Sequence, residues 1–214
     1  MPHKLLYIMD FHCAWSYANQ KAILDLSNLL KKEYRITILP GGMWDKNHSI
    51  RGGKAIKDYL LPTIVRINEN HNGAISQHYI DLIQDSSYLL SSEIASKAIL
   101  AMNEVCPEKS IAFAGQLMNN QFEKGMRYDV EKTYNDALSD LQIDHEEFKK
   151  KWKDQSMIEI MRETFKTARL LTSSYPALFL MKDGAYHLLK RGSFNSAEIL
   201  KELRTATIIT SNSQ

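Results

Sequence analysis

Lys4-Leu5-Leu6-Tyr7-Ile8-Met9-Asp10-Phe11-His12-Cys13-Ala14-Trp15-Ser16-Tyr17 changes its periodicity halfway along. Leu5–Met9 is an unbroken apolar run, which reads as a strand buried on both faces. From residue 14 to 32 the pattern is helical, with Ala18, Ala22, Ile23, Leu26, Leu29 and Leu30 on one side and Lys31 and Lys32 near the C-terminal end, where cations suit the dipole. Cys13 therefore stands where a strand ends and a helix begins. The first turn of a helix presents unpaired N–H groups and the positive end of its dipole, and both favour a thiolate over a thiol. Thiolate is the reactive form, so the position predicts an activated cysteine with a depressed pKa. A protonated His12 would add to this. The alternative reading is a small, inert, buried cysteine.

Working outward, Tyr34-Arg35-Ile36-Thr37-Ile38-Leu39 alternates and is β-branched, a second strand ended by Pro40-Gly41-Gly42. A long helical stretch follows. Helices are predicted over 54–70, kinked or split by Pro62, and over 92–105 with Ser92 as cap. Others are predicted over 108–122, 130–141, 145 to about 153 behind Asp144, and about 155–170. Then Ser174-Tyr175-Pro176 leads into a short apolar strand, Ala177–Met181, with proline at the one strand position that needs no donor. Asp183-Gly184 signals a hairpin, 185–190 returns, and Asn195 or Ser196 caps a last helix to about 204, after which a frayed end is expected. The order predicts an α/β protein: a small mixed sheet with flanking helices, residues 1–49 and 169–214, interrupted by an all-helical insertion over 50–168.

Composition narrows the function. The 214 residues are 44% apolar and 24% charged, and no apolar run approaches the length of a membrane helix. A net charge of +2 is too small for a nucleic-acid footprint. Two cysteines, Cys13 and Cys106, exclude a disulfide-stapled scaffold and a four-cysteine zinc site. The histidines are scattered, His145-Glu146-Glu147 has no second histidine at helical spacing, and no metal site is expected. Arg51-Gly52-Gly53-Lys54 lacks the preceding strand and the ending of a phosphate loop, and reads as a helix start. The short apolar stretch after Lys4, interrupted by Asp10 and His12, does not match a secretory signal, so a cytoplasmic protein is expected.

A cysteine motif at the first strand–helix junction, a helical insertion and a proline before a strand hairpin together resemble the thioredoxin superfamily. The chain is more narrowly similar to the DsbA-like family, in particular its FrnE-type cytoplasmic branch, at Asp10, Cys13, Trp15 and Tyr17. Further similarity lies in Arg51–Lys54 through Leu60-Leu61-Pro62, in Ser92-Glu93-Ile94-Ala95, in Tyr175-Pro176-Ala177-Leu178 and in Arg191-Gly192-Ser193-Phe194. That resemblance implies a thioredoxin-like fold with a large all-helical insertion over about residues 4–204. Two positions depart from the pattern. Ser16 stands where the family has its second cysteine, and Leu170-Leu171 where it often has glycine.

What the resemblance implies for function is thiol–disulfide chemistry run by one thiol. Cys13 is the nucleophile, and Ser16, one helical turn on, can donate its hydroxyl to the sulfur. His12, Trp15, Tyr175 and Pro176 are the candidate substrate-binding residues, with the Tyr175 backbone facing Cys13 and pairing with an extended substrate. Protein or peptide thiols and disulfides, and glutathione as co-substrate, are the expected partners, with no tightly bound cofactor, no nucleic acid and no membrane. Monomer and homodimer both stay open. A glutathione-dependent transferase or isomerase of the kappa and 2-hydroxychromene-2-carboxylate type is the alternative, although those proteins carry serine where this chain has Cys13. A degenerate binding protein that has lost catalysis is the third reading.

Overall fold

A computed structural model of the chain describes residues 3–71 and 74–211. Strand β1 (His3–Met9) is the spine. It pairs in parallel with β2 (Tyr34–Pro40) and antiparallel with β5 (Ala177–Lys182), which pairs antiparallel with β6 (Ala185–Arg191). The sheet order is β2-β1-β5-β6. A parallel pair needs a crossover, and the helical segment after Cys13 supplies it.

The apolar run of β1 is buried on both faces because both faces are covered. Leu5, Tyr7 and Met9 join the main core with Ile36, Ile38, Leu178 and Leu180, while Leu6 and Ile8 point the other way, against Ala168, Ala177 and Phe179. Ile8 is fully buried, which is worth roughly 1.5–3 kcal/mol of transfer free energy.

Where the periodicity predicts one helix after Cys13 there are two, α1 (Ala14–Ala18) and α2 (Gln20–Leu30). Asn19 between them is fully engaged elsewhere. Its Nδ2 donates to the Gly192 carbonyl, and its Oδ1 accepts from the Phe194 N–H and the Ser193 hydroxyl. The junction thereby ties the cysteine helix to the turn after β6. Leu29 lies outside the buried face of α2, 64% exposed.

Beyond β2, β3 (Ile50–Arg51) pairs with β4 (Leu89–Leu90) as a small ribbon. α3 (Lys54–Asn70) runs through Pro62 unsplit, held along one side by Ile56, Leu60, Ile64 and Ile67. α4 (Gln77–Gln84), α5 (Glu93–Val105), α6 (Ser110–Phe122), α7 (Glu131–Asp140), α8 (His145–Trp152) and α9 (Ser156–Leu171) follow. Asp144 caps α8 as expected, accepting from the Glu146 and Glu147 N–H groups. The sequence pattern predicts neither the ribbon nor α4. Two-residue strands carry no readable alternation, and the eight residues of α4 bury only Tyr79, Leu82 and Ile83.

The β5–β6 hairpin turns on Asp183 and Gly184, both with positive φ, the conformation of a two-residue type I′ turn. α10 (Ser196–Ser211) extends past the predicted end near residue 204. Residues 212–214 of the expected frayed end lie outside the described residues.

Candidate active site

Two pieces of chain, remote in sequence, meet at the C-terminal end of β1. One is the Asp10–Tyr17 stretch. Cys13 is the N-cap of α1, with extended backbone angles, and its N–H donates to the Asp10 carbonyl. The other is the loop before β5, where the Tyr175–Pro176 peptide is cis. The Cys13 Sγ lies 3.5 Å from the Tyr175 carbonyl oxygen and donates to it. Cys13 is 9% exposed, so little of it faces solvent.

The surroundings of the sulfur overturn one expectation. Burial pushes the Cys13 thiol above its ordinary value. The Ser16 hydroxyl and the N–H groups of Ser16 and Trp15 pull it down, as a helix start should, but the nearby Asp10 carboxyl pushes it up again. Desolvation of the charged form outweighs the helix end. The local sequence shows the helix and not the burial, nor the Tyr175 carbonyl that lies against the sulfur.

His12 does not supply the compensating charge. It is 1% exposed, and its Nε2 lies 3.1 Å from the Ser91 carbonyl. A carbonyl only accepts, so Nε2 carries the hydrogen. The ring sits among Trp44, Tyr128 and Tyr88. Burial lowers its pKa to about 4, which keeps it neutral. The ring is therefore a neutral, buried group packed among those aromatics.

Ser16 is buried, and its Oγ accepts from the Asp10 N–H at 3.4 Å. Trp15 is half-buried and packs against the core. Tyr175 is half-buried and Pro176 buried. The Tyr175 hydroxyl donates to the Gly41 carbonyl at 2.9 Å, and a Cβ on Gly41 would lie 2.3 Å from the ring. This close approach explains the glycine after β2. Beside Tyr175 opens a cleft of about 400 Å³ lined by Gly42, Met43, His48, Arg169, Thr172 and Ser173. Cys106 lies at the far end of α5, where its Sγ donates to the Glu108 carboxylate.

In the sequence, Asp10 belongs to the motif but carries no assigned role. Its carboxyl is fully buried and accepts from the His12 N–H, the Met43 N–H and the Ser92 hydroxyl. Burial pushes this carboxyl up, against hydrogen bonds that favour the charged form. Ser92, expected to cap α5, makes no such bond. It faces Asp10 instead.

No family model matches the chain, and no curated protein does. Solved structures do. A candidate protein disulfide isomerase from Nitrosomonas europaea is 16% identical with a TM-score of 0.83, over 96% of this chain and 97% of that one. A cytosolic disulfide reductase, DsbM from Pseudomonas aeruginosa, is 19% identical with a TM-score of 0.78, over 97% and 98% of the two chains. The same reductase solved with GSH is 18% identical, with the same score. A 2-hydroxychromene-2-carboxylate isomerase is 12% identical with a TM-score of 0.62, over 98% of both chains. At these identities the likeness is one of fold: the chain has the DsbA-like thioredoxin fold with its helical insertion.

Proposed function

We propose that this chain is a monothiol disulfide-exchange enzyme that takes protein or glutathione mixed disulfides. The observation that carries the reading is the 3.5 Å approach of the Cys13 sulfur to the Tyr175 carbonyl, at a helix start and before Pro176. In the first step the Cys13 thiolate attacks one sulfur of a substrate disulfide. The S–S bond breaks, a Cys13–substrate disulfide forms, and the departing thiolate takes up a proton. Ser16 offers no second sulfur, so an external thiol must attack the mixed disulfide, forming a new disulfide and returning the Cys13 thiolate. Two electrons pass between thiols and none are lost. Glutathione suits the second step in a reducing cytoplasm, where we place the protein. Among the described residues no helix is long and apolar enough to cross a membrane.

The test is to offer the purified protein a glutathionylated peptide and reduced glutathione. Peptide thiol should be released, and mass spectrometry should find glutathione on Cys13. Release that persists in Cys13→Ala, or is absent from the wild type, overturns the reading. The fold shared with the chromene-carboxylate isomerase supports a second one, in which glutathione binds without a covalent link. Catalysis of such an isomerisation by Cys13→Ser would favour it.

A further inference from the structure

We propose that Asp10 and Ser92 are positioning residues which register the Cys13 loop, the Tyr175 loop and the helical insertion against one another; the inference rests on the exchange reading above. Asp10 Oδ1 accepts from the His12 N–H at 2.9 Å and from the Ser92 hydroxyl at 3.0 Å, and Oδ2 accepts from the Met43 N–H at 2.8 Å. The Gly42 N–H adds a further hydrogen bond. Three separate segments thus converge on one carboxylate: the nucleophile's own loop, the loop after β2, and the start of α5.

Each segment leads to a wall of the site. The loop after β2 carries Gly41, on which the Tyr175 ring rests and to which its hydroxyl is bonded. Ser92 grips the same loop twice more, accepting from the Trp44 N–H at 3.0 Å and donating its own N–H to the Trp44 carbonyl at 2.8 Å. The Trp44 ring lies 5.2 Å from the His12 ring, directly before Cys13 in the chain. Moving Ser92 must therefore move the Tyr175 edge relative to the sulfur.

Stability alone is a poor reason for this arrangement. Asp10 is fully buried, and no lysine or arginine pairs with it among the described residues. An unpaired buried carboxylate is costly. An amide of the same shape would turn its own donors toward N–H and O–H groups that already point inward, so only a carboxylate can collect them all.

The experiment uses the full chain in a Cys106→Ser background, leaving Cys13 as the lone thiol. Two rates are compared: exchange with a glutathionylated peptide, which needs the Tyr175 edge, and alkylation by iodoacetamide across a pH series, which needs only the thiolate. Ser92→Ala and Asp10→Asn should slow exchange about tenfold, while alkylation at equal thiolate fraction stays within about twofold of wild type. Ser92→Thr should restore exchange. Ser96→Ala, which removes another buried hydroxyl of α5 that has no hydrogen-bond partner among the described residues, should leave both rates alone. If Asp10→Asn does not fold, Ser92→Ala decides. Exchange and alkylation falling together, or neither falling, overturns the positioning role alone. A wild type with no exchange overturns the disulfide reading and this inference with it.

Discussion

The Tyr175 ring lies directly over Gly41, where a single methyl group on the glycine would come within 2.3 Å of two ring carbons. A side chain on the last residue before Pro176 is thereby seated on the backbone that leaves β2. The Tyr175 carbonyl that faces Cys13 is held from the far side by this contact and by the hydroxyl's bond to Gly41.

Gly41→Ala should push the ring off its seat. Overpacking of this kind costs about 1–3 kcal/mol, to be read as a lowered midpoint in urea. The Tyr175 edge should move with the ring, so exchange with a peptide disulfide should fall further than the stability loss alone explains. Tyr175→Phe keeps the packing and drops only the hydroxyl's bond, so it should cost about 1 kcal/mol. An unchanged Gly41→Ala midpoint would show that the loop gives way freely.

Burial holds the Cys13 thiol above its ordinary value, and the Ser16 hydroxyl is the strongest force opposing this. Ser16→Ala should therefore raise the pH midpoint for alkylation of Cys13. The thiolate fraction at neutral pH falls with that rise, and the alkylation rate should fall with it. Asp10→Asn removes the negative charge that pushes the thiol up, and should move the midpoint down. Opposite shifts in the two variants would check both causes; a common direction would contradict them.

His12 ties the site to pH through stability. Its pKa in the folded protein is about 4, against an ordinary 6.5. Between those values the unfolded chain binds a proton that the folded chain refuses, so stability rises with pH through this window and is lost as pH falls. The full contribution is about 3 kcal/mol. His12→Gln keeps a donor for the Ser91 carbonyl and removes the titration. Urea unfolding from pH 7 to pH 4 should show a shallower decline in the variant, and parallel curves would mean that His12 gains a proton in place.

The fold was legible wherever one segment carried its own signal. Leu5–Met9, the helical stretch after Cys13, the Asp183-Gly184 turn and the Asp144 cap each follow from a few adjacent residues. What could not be read depends on partners remote in sequence. Ser92 has the position and chemistry of a cap, yet its hydroxyl bonds a carboxyl 82 residues away. Cys13 has the address of an activated thiol, yet it is buried, and the carbonyl against its sulfur comes from a residue 162 positions along. His12 looks like a source of charge beside the sulfur until Trp44, Tyr88 and Tyr128 close around it. Asp10 stands in the motif, but its convergent donors come from three loops.

Ser16→Cys is the constructive test of the site. Positions 13 and 16 are one helical turn apart at the start of α1, and neighbouring turns hold Cα atoms within the roughly 4.4–6.8 Å span a disulfide accepts. The new thiol would sit where the Ser16 hydroxyl now bonds the sulfur, so it is placed to attack a Cys13 mixed disulfide from within. The variant should release glutathione from its Cys13 mixed disulfide without any added thiol. It should be left with an internal disulfide between Cys13 and the introduced thiol, detectable as a mass loss of two hydrogens. The wild type under the same conditions should stop at the covalent adduct. Ser16 is buried and sulfur is larger than oxygen, so a lower melting temperature of the reduced variant is expected. If the variant also stops at the adduct, the α1 start holds position 16 out of line with the Cys13 sulfur, and an external thiol would be the only route to turnover.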